Sequence, residues 1–188
     1  HDGILVGIGT VLADDPRLTV RLVEGHDPQP IVLDGELRLP PEAELLRAPK
    51  KTPWVVATDA ADPERQLRLE AAGARVLRLP ADERGLVDLH ALLARLGELG
   101  IRSLMVEGGS QVITSFLREQ LVDRLVLTIA PLLVGGLGAV GRLETDEFPE
   151  LVHTRYRWVG SNLVLTGEVR RHREEEIDDE LLKLGGAL

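Results

Sequence analysis

A chain of 188 residues, 44% hydrophobic and 28% charged, suits one globular domain with a short appendage, and at this length folding hides roughly 70% of the surface the unfolded chain exposes. With no cysteine, the composition excludes thiol catalysis, zinc knuckles and iron–sulfur ligation, and it fits a reducing compartment. Its 22 Lys and Arg against 31 Asp and Glu leave a formal charge of −9, which repels nucleic acid and anionic membranes, and 3% aromatics is too few for base-stacking platforms.

Short runs of Val, Ile and Leu alternate with amphipathic stretches, the pattern of a sheet wrapped by crossover helices. The first strand is expected over 3–7. It leaves through Gly7-Ile-Gly9-Thr10 and reaches the carboxylates Asp14 and Asp15 before Pro16. Gly7-x-Gly9 is no dinucleotide fingerprint, because Leu12 occupies the third glycine position. Asp14 and Asp15 have no third oxygen ligand at a useful spacing, so a helix end and a turn set by Pro16, with Asp15 extended before it, is the simpler account. Further strands are expected over 30–34, 53–58, 75–79 and 103–107. Helices fall over 63–72 and 88–99, stopped by Gly73 and Gly100, and over 110–120.

After that the rhythm changes. Residues 124–134 read as a long apolar strand, and 154–159 with 163–169 as a hairpin around Gly160-Ser161-Asn162. The sheet is therefore expected to be mixed, parallel first and antiparallel at its end, in one α/β domain over 1–169. The uncharged run 125–141 contains Pro131 and four glycines and falls short of the roughly 20 apolar residues of a spanning helix. In the charged tail 170–188, read as helical, Arg170, Arg171 and Arg173 run into acidic residues, while Ile177, Leu181 and Leu184 share one helical face. A docking helix and a frayed surface helix fit that pattern equally. No secretory or transit segment is visible, and the opening on His1 leads us to expect further residues upstream.

The segment Ser103-Leu-Met-Val-Glu-Gly-Gly-Ser110 is the most informative, because an apolar strand ends in a carboxylate and two glycines where a helix begins. Glycines let a ligand approach the backbone, and the unpaired N–H groups of a first helical turn attract an anion such as a phosphate. Ser110 can cap that helix. A tight structural turn is the alternative. Glu107 sits on the rim where open α/β sheets bind ligands, placed to hold a substrate hydroxyl or amine or to move a proton; a plain surface glutamate is the other reading. A literal G-x-G-x-x-G at 136–141 is followed by a hairpin instead of a long helix and a parallel strand, so it reads as a loop beside a ligand site or a purely structural loop. The histidines at 1, 26, 90, 153 and 172 show no i,i+4 pair, so no metal site is expected, and no G-x-S-x-G elbow occurs.

Two blocks carry a resemblance. Asp2-Gly-Ile-Leu-Val-Gly-Ile-Gly-Thr-Val-Leu-Ala-Asp-Asp-Pro-Arg-Leu-Thr-Val-Arg21, together with Val106-Glu-Gly-Gly-Ser110, Leu121-Val-Asp-Arg-Leu and Ile129-Ala-Pro-Leu-Leu-Val-Gly-Gly136, resembles the reductase domain of the bifunctional riboflavin-biosynthesis deaminase/reductase family and its stand-alone relatives. The resemblance runs from Asp2 to about Val169. It implies a dihydrofolate-reductase-like three-layer fold, a mixed, mostly parallel sheet with an antiparallel C-terminal hairpin, flanked by helices. It also implies NADPH-dependent reduction of a phosphorylated ribosylaminopyrimidine to its ribitylamino form, in a cytoplasmic homodimer.

Carried over by position, Thr10 and Asp14 fall where the family contacts the dinucleotide, and Leu18 and Arg21 where it contacts substrate. Glu107 matches a substrate-contacting glutamate, and Gly109, Ser110, Gln111, Val112, Ile113, Thr114 and Ser115 match the turn and helix that cradle the cofactor's pyrophosphate. A guanidinium such as Arg21 binds phosphate in a bidentate way. Two departures stand out. The family's first strand, with a Ser/Leu-Asp-Gly-type motif and a nearby arginine, is expected upstream of His1, and Gly35 stands where many relatives have a serine near the cofactor's 2′-phosphate, with Arg38 as an alternative source of charge. Two other functions remain open at this point: a reductase of the same fold for another small substrate, and a non-catalytic nucleotide-binding domain.

Overall fold

A computed structural model describes residues 1–47, 50–133, 138–143 and 148–170. The chain divides into two compact units, His1–Ile113 and Thr114–Leu188.

The first unit is built on a five-stranded parallel sheet in the order β4-β3-β2-β1-β5. Its strands are β1 (Gly3–Gly7), β2 (Gln29–Leu33), β3 (Trp54–Thr58), β4 (Arg75–Leu79) and β5 (Leu104–Glu107). Central strands of parallel sheets are covered on both faces, which explains why β1 and β3 are continuously buried apolar runs. Leu5, Ile31, Val32, Val55 and Val56 form the middle of the sheet, and Leu69, Leu92 and Leu96 are equally buried on the helices. At the edge, β4 exposes Arg75, whose guanidinium lies 5.5 Å from the Trp54 ring centroid.

All five strands lie within two residues of their expected bounds, and the helices between them are where the sequence put them. Helix α3 (Pro63–Ala71) starts with Pro63 in its first turn and Asp62 accepting a hydrogen bond from Glu64 N at 2.8 Å. Asp88 likewise accepts from Ala91 N at 3.0 Å at the start of α4 (Leu89–Glu98). Both helices stop just before the glycines read as stops.

Helix α1 (Ile8–Asp14) ends at Asp14, in line with the helix end expected before Pro16, but it begins directly after β1, where the sequence suggested a strand-to-loop junction; its buried Ile8 and Val11 lie on one face and carry it despite the poor helix formers. It is capped by Asp15, which is not extended before Pro16 as expected but left-handed, at φ 41°, with its N–H donating to Val11 O at 2.9 Å. Aspartate tolerates that conformation, and the closing hydrogen bond selects it. The short α2 (Glu44–Arg47) is capped from a distance, Asp15 Oδ1 accepting from Glu44 N at 2.8 Å.

Helix α5 (Ser110–Arg118) follows β5 and contributes buried Thr114 and Phe116 to the second unit. That unit carries an antiparallel sheet in the order β6-β8-β7, made of β6 (Arg124–Ile129), β7 (Leu151–Val159) and β8 (Asn162–Val169). The parallel and antiparallel parts thus follow the expected order, but as two separate hydrogen-bonded ladders rather than one. Strand β6 stops at Ile129, short of the expected 134. Pro131, with no N–H to donate, cannot extend a ladder, and Val134 lies outside the described residues. The β7–β8 hairpin turns at Gly160, and β7 starts at Leu151, three residues before its expected start at 154. A register shift between Val152 and Arg155, with His153 at φ 49°, interrupts the alternation there. The charged tail beyond residue 170 lies outside the described residues.

Candidate functional site

Successive strands from β1 to β4 step in one direction, and β5 then returns to pair with the other side of β1. The order of the sheet therefore reverses between β1 and β5. Open α/β sheets bind ligands outside the carboxyl ends of the strands at such a point. Val6 pairs with Glu107 in register, so the exits of both strands lie side by side, one leading into α1 and the other into Gly108-Gly109 and α5.

The two exits touch. Gly108 (φ 70°) and Gly109 (φ 58°) both adopt the left-handed conformation that favours glycine. A Cβ on Gly108 would lie 2.6 Å from Thr10 Oγ1 and 3.0 Å from its Cγ2, and one on Gly109 would lie 3.5 Å from the same hydroxyl. A Cβ on Gly7 would lie 2.7 Å from Val112 Cγ2. The glycines thus let the Thr10 side chain lie against the Gly108-Gly109 turn and the Val112 side chain against Gly7, where a Cβ on Gly7 or Gly108 would clash. Asp14 lies one turn beyond Thr10 on α1 and is exposed, and i,i+4 residues share a helix face. Glu107 is exposed at the end of β5.

Other expected site residues are held differently. Leu18 (φ 53°) packs against the core cluster of the first unit, and Arg21 is exposed on the connection that follows. Ser110, Gln111, Val112 and Ile113 form the first turn of α5, whereas Thr114 is buried with its hydroxyl accepting from Gly141 N at 2.7 Å. Ser115 follows it, half-buried. Of the 136–141 loop, residues 136 and 137 lie outside the described residues, and Gly141 N donates to the Thr114 hydroxyl on α5.

Sequence reasoning missed Asp34, fully buried at the end of β2. Its Oδ2 accepts from Leu39 N at 2.8 Å and its Oδ1 from Arg38 Nε at 3.4 Å, which holds the loop 34–39 and directs Arg38. The signal was present: a lone carboxylate at the end of an apolar strand, just before a glycine. Gly35 has room for a side chain, its nearest neighbour to a built Cβ being Thr58 Cγ2 at 3.5 Å. Among the described residues no group of three His, Cys, Asp or Glu could hold a metal ion, and no helix is long and apolar enough to cross a membrane.

A parallel α/β unit whose strand order reverses beside a glycine turn at a helix start has the switch-point architecture of nucleotide-binding α/β proteins. Comparison narrows it. Residues 1–165 match the model of the RibD C-terminal domain, and the chain belongs to that family. The 2,5-diamino-6-ribosylamino-4(3H)-pyrimidinone 5′-phosphate reductase of Methanothermobacter thermautotrophicus is 44% identical over 154 residues, 80% of this chain and 68% of the relative. The riboflavin biosynthesis protein RibD of Aquifex aeolicus is 38% identical over 166 residues, 86% of this chain but 45% of the relative, so the chain spans less than half of such RibD proteins. The solved structure of the Saccharomyces cerevisiae riboflavin biosynthesis reductase Rib7 superposes with a TM-score of 0.73 at 30% identity, covering 90% of this chain and 76% of that one. The fold is the dihydrofolate-reductase-like one of these reductases.

Proposed function

We propose that this chain is an NADPH-dependent oxidoreductase that converts the ribosyl side chain of a phosphorylated ribosylaminopyrimidine into its ribitylamino form, a step of riboflavin biosynthesis. The observation that carries this reading is the convergence of Thr10 with Gly108-Gly109 beside Glu107, in a chain whose relatives are named as reductases of such a pyrimidine phosphate.

The cradle fits a dinucleotide. Gly108 has no Cβ to push Thr10 away, so the Thr10 side chain can lie against this turn, and the backbone of Gly109 and the first residues of α5 can face a pyrophosphate with Thr10 and Asp14 as further polar contacts. Thr114 and Ser115 continue the same helix, and the Thr114 hydroxyl accepts from Gly141 N. Arg38, braced by Asp34, supplies positive charge at the end of β2 for a 2′-phosphate. When bound, NADPH would supply a hydride for the sugar's C1′ in its ring-opened imine state, the imine nitrogen taking its proton from solvent. The protein's own part is binding and orientation. Arg21 takes the substrate phosphate, Glu107 accepts a hydrogen bond from a substrate hydroxyl or amine, and Leu18 backs the pocket from the core.

The chain works as a homodimer in the cytoplasm, a compartment its cysteine-free composition suits. Registered pairs place Leu127, Leu165 and Tyr156 in one row and Ile129, Leu163 and Trp158 in the next, all on one face of the antiparallel sheet. Leu127 (40%), Ile129 (48%), Tyr156 (65%) and Trp158 (72%) are exposed, and an uncharged apolar face of this kind can meet its own copy without repulsion.

The test is steady-state kinetics of Glu107→Gln and Arg21→Ala with NADPH and the pyrimidine phosphate. Arg21→Ala should raise the KM for the pyrimidine about 10- to 100-fold, the weight of a charge-assisted phosphate contact. Glu107→Gln should lower kcat at least tenfold. Parent-like turnover by both variants would refute the assignment.

A further inference from the structure

We infer that Asp27 is a positioning residue for Arg21: it closes the stem of the loop that displays this guanidinium and so holds it ready for the substrate phosphate. The inference rests on Arg21 being the phosphate partner proposed above.

Residues 15–28 connect α1 to β2 with no helix or strand of their own, a length at which loops are functional or loose unless pinned. This one is pinned in two places. At its start, Asp15 Oδ1 accepts from Glu44 N at 2.8 Å, Arg17 Nε pairs with Glu44 Oε2 at 3.1 Å, and Leu18 packs on the core. At its end, Asp27 Oδ1 accepts from Val20 N at 2.8 Å while Asp27 Oδ2 pairs with Lys50 Nζ at 3.0 Å. The Asp27 side chain is only 7% exposed, so both of its oxygens are committed inside the stem.

Between the two stem residues, positions 21–26 are exposed. Arg21 directly follows the tethered amide of Val20, so among these residues its backbone is fixed by the stem on the N-terminal side. It is also the permanently charged cation among them, His26 being the other basic residue. A guanidinium displayed from a fixed stem loses less freedom on gripping a phosphate than one on an open loop, which is the ordinary gain from preorganisation. The Val20 amide and then the Lys50 ammonium hold the Asp27 carboxyl below the usual carboxylate range, so the stem carboxylate stays ionised into more acidic solution than a free one.

The experiment uses the full chain, with NADPH and the pyrimidine phosphate, in the variants Asp27→Ala, Asp27→Asn, Arg21→Ala and the double variant Arg21→Ala/Asp27→Ala. Asp27→Ala should raise the KM for the pyrimidine about tenfold with kcat within twofold and the KM for NADPH unchanged. Asp27→Asn keeps an acceptor for Val20 N and should recover most of that loss. In the Arg21→Ala background, Asp27→Ala should add less than twofold. Trypsin should cut after Arg21 several times faster in Asp27→Ala than in the parent, a readout of the stem that needs no turnover. An unchanged KM in Asp27→Ala, or a full tenfold effect persisting without Arg21, would overturn the inference while leaving the reductase assignment standing. A parent protein with no pyrimidine-dependent turnover would instead refute that assignment, and this inference with it.

Discussion

Replacing Gly108 by alanine tests the meeting of the two strand exits. At φ 70° an L-residue costs about 1 kcal/mol relative to glycine. The new Cβ would also stand 2.6 Å from Thr10 Oγ1, 3.0 Å from Cγ2 and 3.3 Å from Cβ, all on a helix whose Ile8 and Val11 are buried and resist displacement. Overpacking of this kind adds about 1–3 kcal/mol, so Gly108→Ala should destabilise the first unit by about 2–4 kcal/mol. Thr10→Ala removes Oγ1 and Cγ2, and in that background Gly108→Ala should cost only about 1–2 kcal/mol, the strain of the backbone plus the residual Cβ contact. Urea unfolding followed by Trp54 fluorescence, in a Trp158→Phe background so that one indole reports, measures all four corners of the cycle. Additive effects of the two substitutions would show that Thr10 and Gly108 do not press on each other. Calorimetric titration with NADPH should show weakened binding in Gly108→Ala, because the same methyl pushes the Thr10 side chain away from the turn.

Three further outcomes are expected. Asp2 Oδ2 accepts from the backbone amides of Arg102 and Ser103, each at 2.9 Å, and these with the Ser103 hydroxyl hold its carboxyl below the ordinary 3.8. A carboxyl lowered on folding stabilises above its unfolded value and loses that contribution as pH falls through the folded one; Asp2→Ala should therefore lower the urea midpoint at pH 7, and the difference from the parent should shrink below about pH 3.8. Asp34→Ala leaves the buried Leu39 N–H without its acceptor and should cost about 1–3 kcal/mol in urea unfolding, while loosening Arg38 and so reducing any preference for NADPH over NADH. Trp158→Glu places a charge on the apolar face of the antiparallel sheet and should convert a dimer to a monomer by light scattering at micromolar concentration; an unchanged mass would put the interface elsewhere.

Much of this was legible in the chain itself because parallel strands buried on both faces announce themselves as unbroken Val, Ile and Leu runs, and because Asp62, Asp88, Gly73 and Gly100 punctuate the helices between them. The junction at Glu107-Gly-Gly-Ser110 was legible for the same local reason: an apolar strand ends there in two glycines where a helix begins. What could not be read was long-range. Helix α1 is held by the burial of Ile8 and Val11, which outweighs the propensity of a glycine-containing segment. The approach of Thr10 to Gly108 could not be read from local sequence, since it depends on β5 returning to pair with β1 across a large sequence separation. The roles of Asp15 at α2 and Asp27 at Val20 likewise depend on how a structureless connection folds back, which no periodicity encodes. The break between the two ladders escaped notice because a strand looks alike in either sheet.

The most direct test is NADPH oxidation, followed by its near-ultraviolet absorbance, with and without the phosphorylated ribosylaminopyrimidine. Oxidation that requires the pyrimidine, saturates with it and collapses in Gly108→Ala and Arg21→Ala is the expected result. Saturable NADPH binding with no pyrimidine-dependent oxidation would contradict the substrate assignment, and the absence of binding as well would contradict the cradle itself.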